Sequence, residues 1–355
     1  MILHPGIVAL VLLSFLLTGM ILYSSFFGIR IIRLWDIQSG SEEQLALERR
    51  TYLISTILSY VLVFQIGSLF LYIYTADSLH NLFVGAMCAA GSLNVDPYGY
   101  PTFLLKILNF ILAGLWLIIN DADNRAYDYP LIRTKYVLLL LLSPLIVTES
   151  IVQMLYFLQM KADVITSCCG SLFSSDKGSV SSDIVAMPVK AAMAGFYLSL
   201  ALTFSSGVVY WIKGKLGLLF SFTSGLFFLL SCVSFISFIS LYFYELPTHH
   251  CPFCVLQREY GYVGYLLYAS LLTGAVSGLG VGALMPFTGI GSLSSSLPLI
   301  QKRLTLLCLV SYLLFAGISI YRMVSTDFTL GLLDSIPEVL NNELVQKIKT
   351  MEVEP

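Results

Sequence analysis

Two short stretches carry the residue types that redox or metal chemistry needs. The sharper is Thr248-His-His-Cys-Pro-Phe-Cys-Val-Leu-Gln-Arg-Glu259. Its Cys-x-x-Cys holds two thiols within closing distance of a disulfide. At a helix N-terminus the dipole and free N–H groups would stabilise a thiolate. Pro252 suits a first helical turn, and His249 and His250 can take up or deliver protons. A static disulfide stapling the loop is the competing reading, although a bridge across so short a gap constrains little chain entropy. The second stretch is Thr166-Ser-Cys-Cys-Gly-Ser171. Vicinal Cys168 and Cys169 can close only a strained, labile disulfide, so one of them could shuttle electrons toward Cys251 and Cys254. The same pair could instead capture a soft metal, or divide into one bridged and one idle thiol. Cys88, in His80-Asn-Leu-Phe-Val-Gly-Ala-Met-Cys-Ala-Ala-Gly91, is a third locus. With Cys251 and Cys254, the set His80, Cys88, His249 and His250 forms an alternative metal site, though without a paired zinc signature.

The elements that must position these residues follow from composition. The chain has 355 residues, 57% apolar and 11% charged, with a mean hydropathy of +0.85. An ordinary soluble domain is about 25% charged, which excludes a water-soluble enzyme. A net charge of -2 offers no basic surface for nucleic acid. Period-2 strands are absent, so the chain reads as an all-α, polytopic helical membrane protein in a lipid bilayer. Apolar runs predict eight spans at about 6–29, 52–74, 101–120, 136–158, 188–211, 216–244, 255–284 and 304–322. The first run is too long for a signal-peptide core and has no positive charge before it, so it reads as a retained span. Residues 1–322 form one transmembrane domain, with possible halves at 1–160 and 187–322. Residues 323–355 read as an outer-face amphipathic tail, apolar at Leu332, Leu333, Ile336, Leu340, Leu344 and Ile348.

Lys and Arg set the orientation. Arg30, Arg33, Arg49, Arg50, Arg125, Arg133, Lys135, Lys213, Lys215, Lys302 and Arg303 fall in alternate breaks, whereas the opposite short breaks hold only Lys161 and Lys177. Both termini are therefore expected outside. Cys232 and Cys308 lie within spans, where a thiol behaves as a small buried hydrophobe. Cys88, Cys168, Cys169, Cys251 and Cys254 all map to the outer side, where disulfides persist. Within their halves, Cys88 and the Cys251/Cys254 pair both follow the second span and a histidine, a pattern that hints at a diverged tandem repeat.

Cys251-Pro-Phe-Cys254-Val-Leu-Gln-Arg258 resembles the Cys-x-x-Cys-x-x-x-Arg motif of DsbB, the bacterial family that passes electrons from thiols to a quinone, and the site of the related vitamin K epoxide reductases. The likeness is one of site: in DsbB the second cysteine pair follows the motif and the protein has four helices. The resemblance implies a motif that opens a transmembrane helix, with Cys251 and Cys254 as the quinone-proximal redox pair. It places Arg258, with Gln257 and His250, on the quinone side. It further implies ubiquinone or menaquinone as electron partner, a thioredoxin-like periplasmic protein as thiol partner, and the cell inner (cytoplasmic) membrane as location. A cation just inside a span is costly and marks function independently of any family. Two other classes stay open: a copper- or mercury-type permease, and a non-catalytic membrane subunit with structural disulfides. Lys106 and Glu149, both within spans, face a cavity or each other.

Overall fold

The computed structural model describes residues 3–37, 39–161, 166 and 187–328. Cys168, Cys169 and the tail beyond residue 328 lie outside them, so the vicinal pair and the amphipathic tail have no structural counterpart here. Among the described residues the chain is all-α, and eight helices are long and apolar enough to cross a membrane.

The helices are α1 (Pro5–Leu34), α2 (Glu42–Leu79), a short α3 (Ala89–Leu93), α4 (Gly99–Asp123), α5 (Ile132–Gln159), α6 (Val189–Lys213), α7 (Gly217–Ser234), α8 (Ser240–Tyr244), α9 (Val263–Leu284) and α10 (Leu297–Ser325). Every expected span is present, and several run past their apolar cores. α2 begins ten residues before its expected start at 52, because Ser41 caps it by accepting from the Gln44 N–H and Glu42 and Glu43 favour the first turn. A π turn, Phe235–Ile239, joins α7 to α8, so the two form one span.

Packing divides these helices into two four-helix bundles. In the first, α1, α2, α4 and α5 pack in sequence and α5 closes back on α1. In the second, α6 packs on α7, α7 on α9 and α9 on α10, with α10 returning to α6. The third long helix of each bundle, α4 and α9, forms the seam between them. A Cβ on Gly114 would stand 2.5 Å from Val276, and one on Gly280 would stand 2.5 Å from Ile118. Residues 114 and 118 thus oppose 276 and 280 in the same order, so α4 and α9 run parallel. Each contributes one glycine and one branched residue, and each glycine admits the other helix's branched side chain.

Alternation of the helices puts the connections at 80–98 and 245–262 at one end of the molecule, with Cys88 and the Cys-x-x-Cys sequence in them. The connections at 35–41, 124–131, 214–216 and 285–296 are at the other. At that opposite end Lys135 is paired with Asp123 at 2.7 Å, both buried. Lys106 and Glu149 face each other across the first bundle at 2.7 Å. Cys308 is buried as expected for a small hydrophobe, but Cys232 faces outward from α7.

Candidate functional site

The two cysteine-bearing connections meet at the end of the seam. Cys88 precedes α3 and comes from the first bundle; Cys251 and Cys254 come from the second. Their sulfurs all lie within 4.8 Å of one another, with Cys88 Sγ 3.5 Å from Cys251 Sγ. All three thiols are buried, and no described cysteine is in a disulfide.

The local backbone differs from the expected one. The motif does not open the seventh span: Cys254–Leu256 and Arg258–Tyr260 are separate 3₁₀ turns, and α9 starts only at Val263. The break falls at Gly261 and Tyr262, whose φ values of 62° and 57° are left-handed and cannot continue a helix. Arg258 is therefore an exposed residue of the connection, not a cation inside a span. It makes no ion pair among the described residues. With no helix dipole beneath it, Cys251 is also no stabilised thiolate. Its pKa is pushed well above the ordinary thiol value, first by the hydrogen bond it shares with Cys254, with burial adding and contact with Cys88 partly offsetting.

Side chains from both bundles hold the connections in place. Tyr244, the last residue of α8, donates its hydroxyl to the Cys251 carbonyl at 2.6 Å and accepts the Val255 N–H at 2.9 Å. Tyr268 of α9 donates to the Pro252 carbonyl. Phe253 packs edge-on against Phe103 of α4, with ring centres 5.3 Å apart. Gln257 Nε2 donates to the Met87 carbonyl at 2.7 Å and to Asp77 Oδ1 at 3.3 Å, and the same Asp77 oxygen accepts the Ala89 N–H at 3.2 Å. Cys88 is thus clasped on both sides by one Gln257–Asp77 latch. Asp77 and Tyr244 were missed in the sequence. An acid at the end of an apolar helix was the available signal for the first, but none marks the second.

The two histidines part company. His249 Nε2 lies 3.3 Å from Cys254 Sγ, its ring edge-on to Tyr244. Burial and His250 lower its pKa, so at neutral pH it is the uncharged imidazole that can accept a thiol proton. His250 turns away: its Nδ1 hydrogen-bonds the Ile236 carbonyl in the π turn at 2.8 Å. It anchors the loop and does not face the sulfurs. His80 likewise bonds its own turn through the Asp77 carbonyl. Of the alternative metal set, only Cys88 joins the sulfur cluster and only His249 touches it.

Beside the latch lies a cleft of about 350 Å³ between the end of α2 and the start of α9. Tyr74, His80, Gln257, Arg258, Tyr262 and Tyr265 are on its walls.

Fold and site together define a multi-pass α-helical membrane protein with a buried three-thiol centre at one end of its helices. Comparison with family models, curated proteins and solved structures finds no match for the chain.

Proposed function

We propose that this chain is a membrane thiol–disulfide oxidoreductase that exchanges electrons between thiols at its cysteine-bearing end and a membrane quinone. The observation that carries the reading is the third thiol: Cys88 Sγ stands 3.5 Å from Cys251 Sγ, across a seam between two bundles that the chain keeps closed with dedicated hydrogen bonds. A structural Cys-x-x-Cys staple needs no such neighbour; a thiol-exchange relay does.

When Cys251 and Cys254 are joined, the Cys88 thiolate attacks Cys251. The Cys88–Cys251 bond forms, the Cys251–Cys254 bond breaks, and Cys254 leaves as a thiolate that takes up the proton Cys88 released, with the uncharged His249 beside it as carrier. Exchange with the dithiol of a thioredoxin-like partner leaves that partner oxidised and the Cys251/Cys254 pair reduced, two electrons and two protons having moved. Cys168 and Cys169, outside the described residues, are the go-between of this proposal, and Thr166 precedes them in the chain. The Thr166 N–H and hydroxyl bond the Val84 and Gly91 carbonyls at 3.0 and 3.1 Å.

The 350 Å³ cleft fits a quinone head group: Tyr74, Tyr262 and Tyr265 offer aromatic surface, Gln257 a donor, and Arg258 a cation outside any described ion pair. Bound there, a ubiquinone or menaquinone supplies a sink for two electrons and two protons as the Cys251/Cys254 dithiol closes to a disulfide. The proposal takes the Lys- and Arg-rich breaks as inside and the thiol centre as facing the periplasm from the inner membrane.

The test is mass-spectrometric thiol trapping on reduced, detergent-purified protein before and after a soluble quinone analogue is added. Cys251 and Cys254 are expected to become disulfide-bonded, more slowly in Arg258→Ala, whereas Cys88→Ser keeps this oxidation but loses the Cys88–Cys251 species. Thiols that stay reduced with quinone in excess overturn the reading.

A further inference from the structure

We propose that the reduced thiol centre is also a preformed three-coordinate site for a monovalent soft cation, Cu(I), with Cys88, Cys251 and Cys254 as its ligands. Three sulfurs held at about 2.3 Å from one ion stand roughly 4 Å apart. Here they lie within 4.8 Å of one another, one pair at 3.5 Å, before any ion is considered. Closing on the ion therefore asks for sulfur movements of well under 1 Å, which side-chain rotation supplies.

Ligand type and number select the ion. The mutually close group contains sulfur only, and thiolates favour Cu(I) among biological cations. Zn(II) takes four ligands in closed structural sites, and His249 Nε2, 3.3 Å from Cys254 Sγ, is not one of the atoms that all lie within 4.8 Å of one another. Burial acts in the same direction. Cys88 and Cys251 are fully buried and Cys254 is 5% exposed, so water is excluded from a site whose three ligands already complete a trigonal ion.

The outer hydrogen bonds supply the preorganisation. Gln257 grips the backbone on one side of Cys88, Asp77 grips it on the other, and Tyr244 fixes the Cys251 carbonyl. Partners of this kind orient metal ligands and keep the cost of assembling them low. Because Cys88 belongs to one bundle and the other two ligands to the second, an ion at this place pins the bundles together at the seam.

The site has a redox condition. Diamide, by removing two electrons and two protons from Cys251 and Cys254, joins two of the three ligands and leaves Cys88 alone. Loading and disulfide formation are then mutually exclusive, and Cu(I) holds the relay in its reduced form. This metal site stands whether or not the pair delivers electrons to a quinone.

The experiment uses the full chain with Cys168→Ser and Cys169→Ser, reduced, in detergent, titrated with Cu(I) against a chromophoric Cu(I) chelator. One ion per chain is expected, with X-ray absorption showing sulfur neighbours only, and diamide treatment abolishes binding. Cys88→Ser should weaken retention by more than the roughly 10–100-fold that loss of an outer-shell partner causes. Should that variant fail to fold, protection of Cys251 and Cys254 from alkylation by Cu(I) in the parent protein gives the same answer. The proposal falls if Cu(I) is held no better than by a variant with all three cysteines changed to Ser, or if Zn(II) is retained in its place. Quinone-driven oxidation of the copper-free protein is scored separately, so failure of either proposal leaves the other standing.

Discussion

In the first bundle Glu149 accepts from Lys106 at 2.7 Å, Gln65 at 2.6 Å and Asn109 at 2.5 Å, tying α2, α4 and α5 together around a carboxylate buried in the membrane interior. The second bundle has no buried ion pair among the described residues. Its interior polar contacts are made by hydroxyls: Ser224 with Tyr312 at 3.1 Å, Ser206 with Thr223 at 3.0 Å, and Thr203 with the Thr223 carbonyl at 3.0 Å. The difference is one of tolerance to rearrangement. A buried ion pair adds little net stability but heavily penalises any motion that separates it, whereas a hydroxyl can exchange one carbonyl for another at small cost. The bundle that carries the single Cys88 is thus a fixed frame. The bundle that carries the Cys-x-x-Cys sequence, with its π turn and its long irregular connection, is the one built to adjust.

The largest effect should come from breaking the frame. Lys106→Met leaves Glu149 without its cation and should destabilise the protein by about 3–5 kcal/mol in denaturant unfolding of the detergent-solubilised chain. Lys106→Met combined with Glu149→Gln removes the stranded charge while keeping an acceptor for Asn109 and Gln65, and should recover most of that loss. A double variant as unstable as the single one would mean that packing of the lysine stem, not charge, is what the bundle uses.

Both bundles were legible as eight apolar runs, because membrane spans demand about 20 apolar residues and little else. The charged pair Lys106 and Glu149 was legible for the same reason, since two opposite charges inside spans have few partners other than each other. The start of α9 was not. Val255 and Leu256 continue the apolar run into the span, and hydropathy registers side chains, whereas the helix is set by backbone angles at Gly261 and Tyr262. The site was half legible. The thiols were sorted to one end by charge alone, and the matching positions of Cys88 and Cys251/Cys254 in the two halves foreshadowed their meeting. Yet neither the Gln257–Asp77 latch nor the contrast between His249 and His250 could be read, because each depends on which way a side chain turns in a loop.

In the second bundle the corresponding break is steric. A Cβ on Gly278 would stand 1.9 Å from Ser224 Oγ and 2.5 Å from its Cβ, where α9 lies against α7. Gly278→Ala should therefore cost about 1–3 kcal/mol, as overpacking in a tight core does. Gly317→Ala in α10, where nothing lies within 4 Å, should instead gain about 0.5–1 kcal/mol from the helix preference of alanine. If the bundle is the adaptable one, adding Ser224→Ala to Gly278→Ala should restore much of the loss, because α7 can settle against the new methyl. No recovery in the unfolding midpoint would make this bundle as rigid as its neighbour and remove the contrast.

The most local change is expected from Tyr244→Phe. The ring and its packing against His249 remain, but the Cys251 carbonyl and the Val255 N–H lose their partner. The two lost hydrogen bonds are worth about 1 kcal/mol each, and because the connection can open on its own, global unfolding should move by less than their sum. The connection itself should open far more often, because such segments unfold locally at a fraction of the global free energy. In reduced, metal-free protein the raised pKa of Cys251 keeps its thiol protonated through neutral pH and above the usual thiol range, so its alkylation should lag that of free cysteine there and catch up only in more alkaline solution. Tyr244→Phe should shift that onset toward lower pH by letting water reach the sulfur, with Cys308, buried inside the helices, unchanged as the internal reference. A variant in which Cys251 and Cys308 speed up together would show that the tyrosine supports the whole second bundle and not the thiol loop alone.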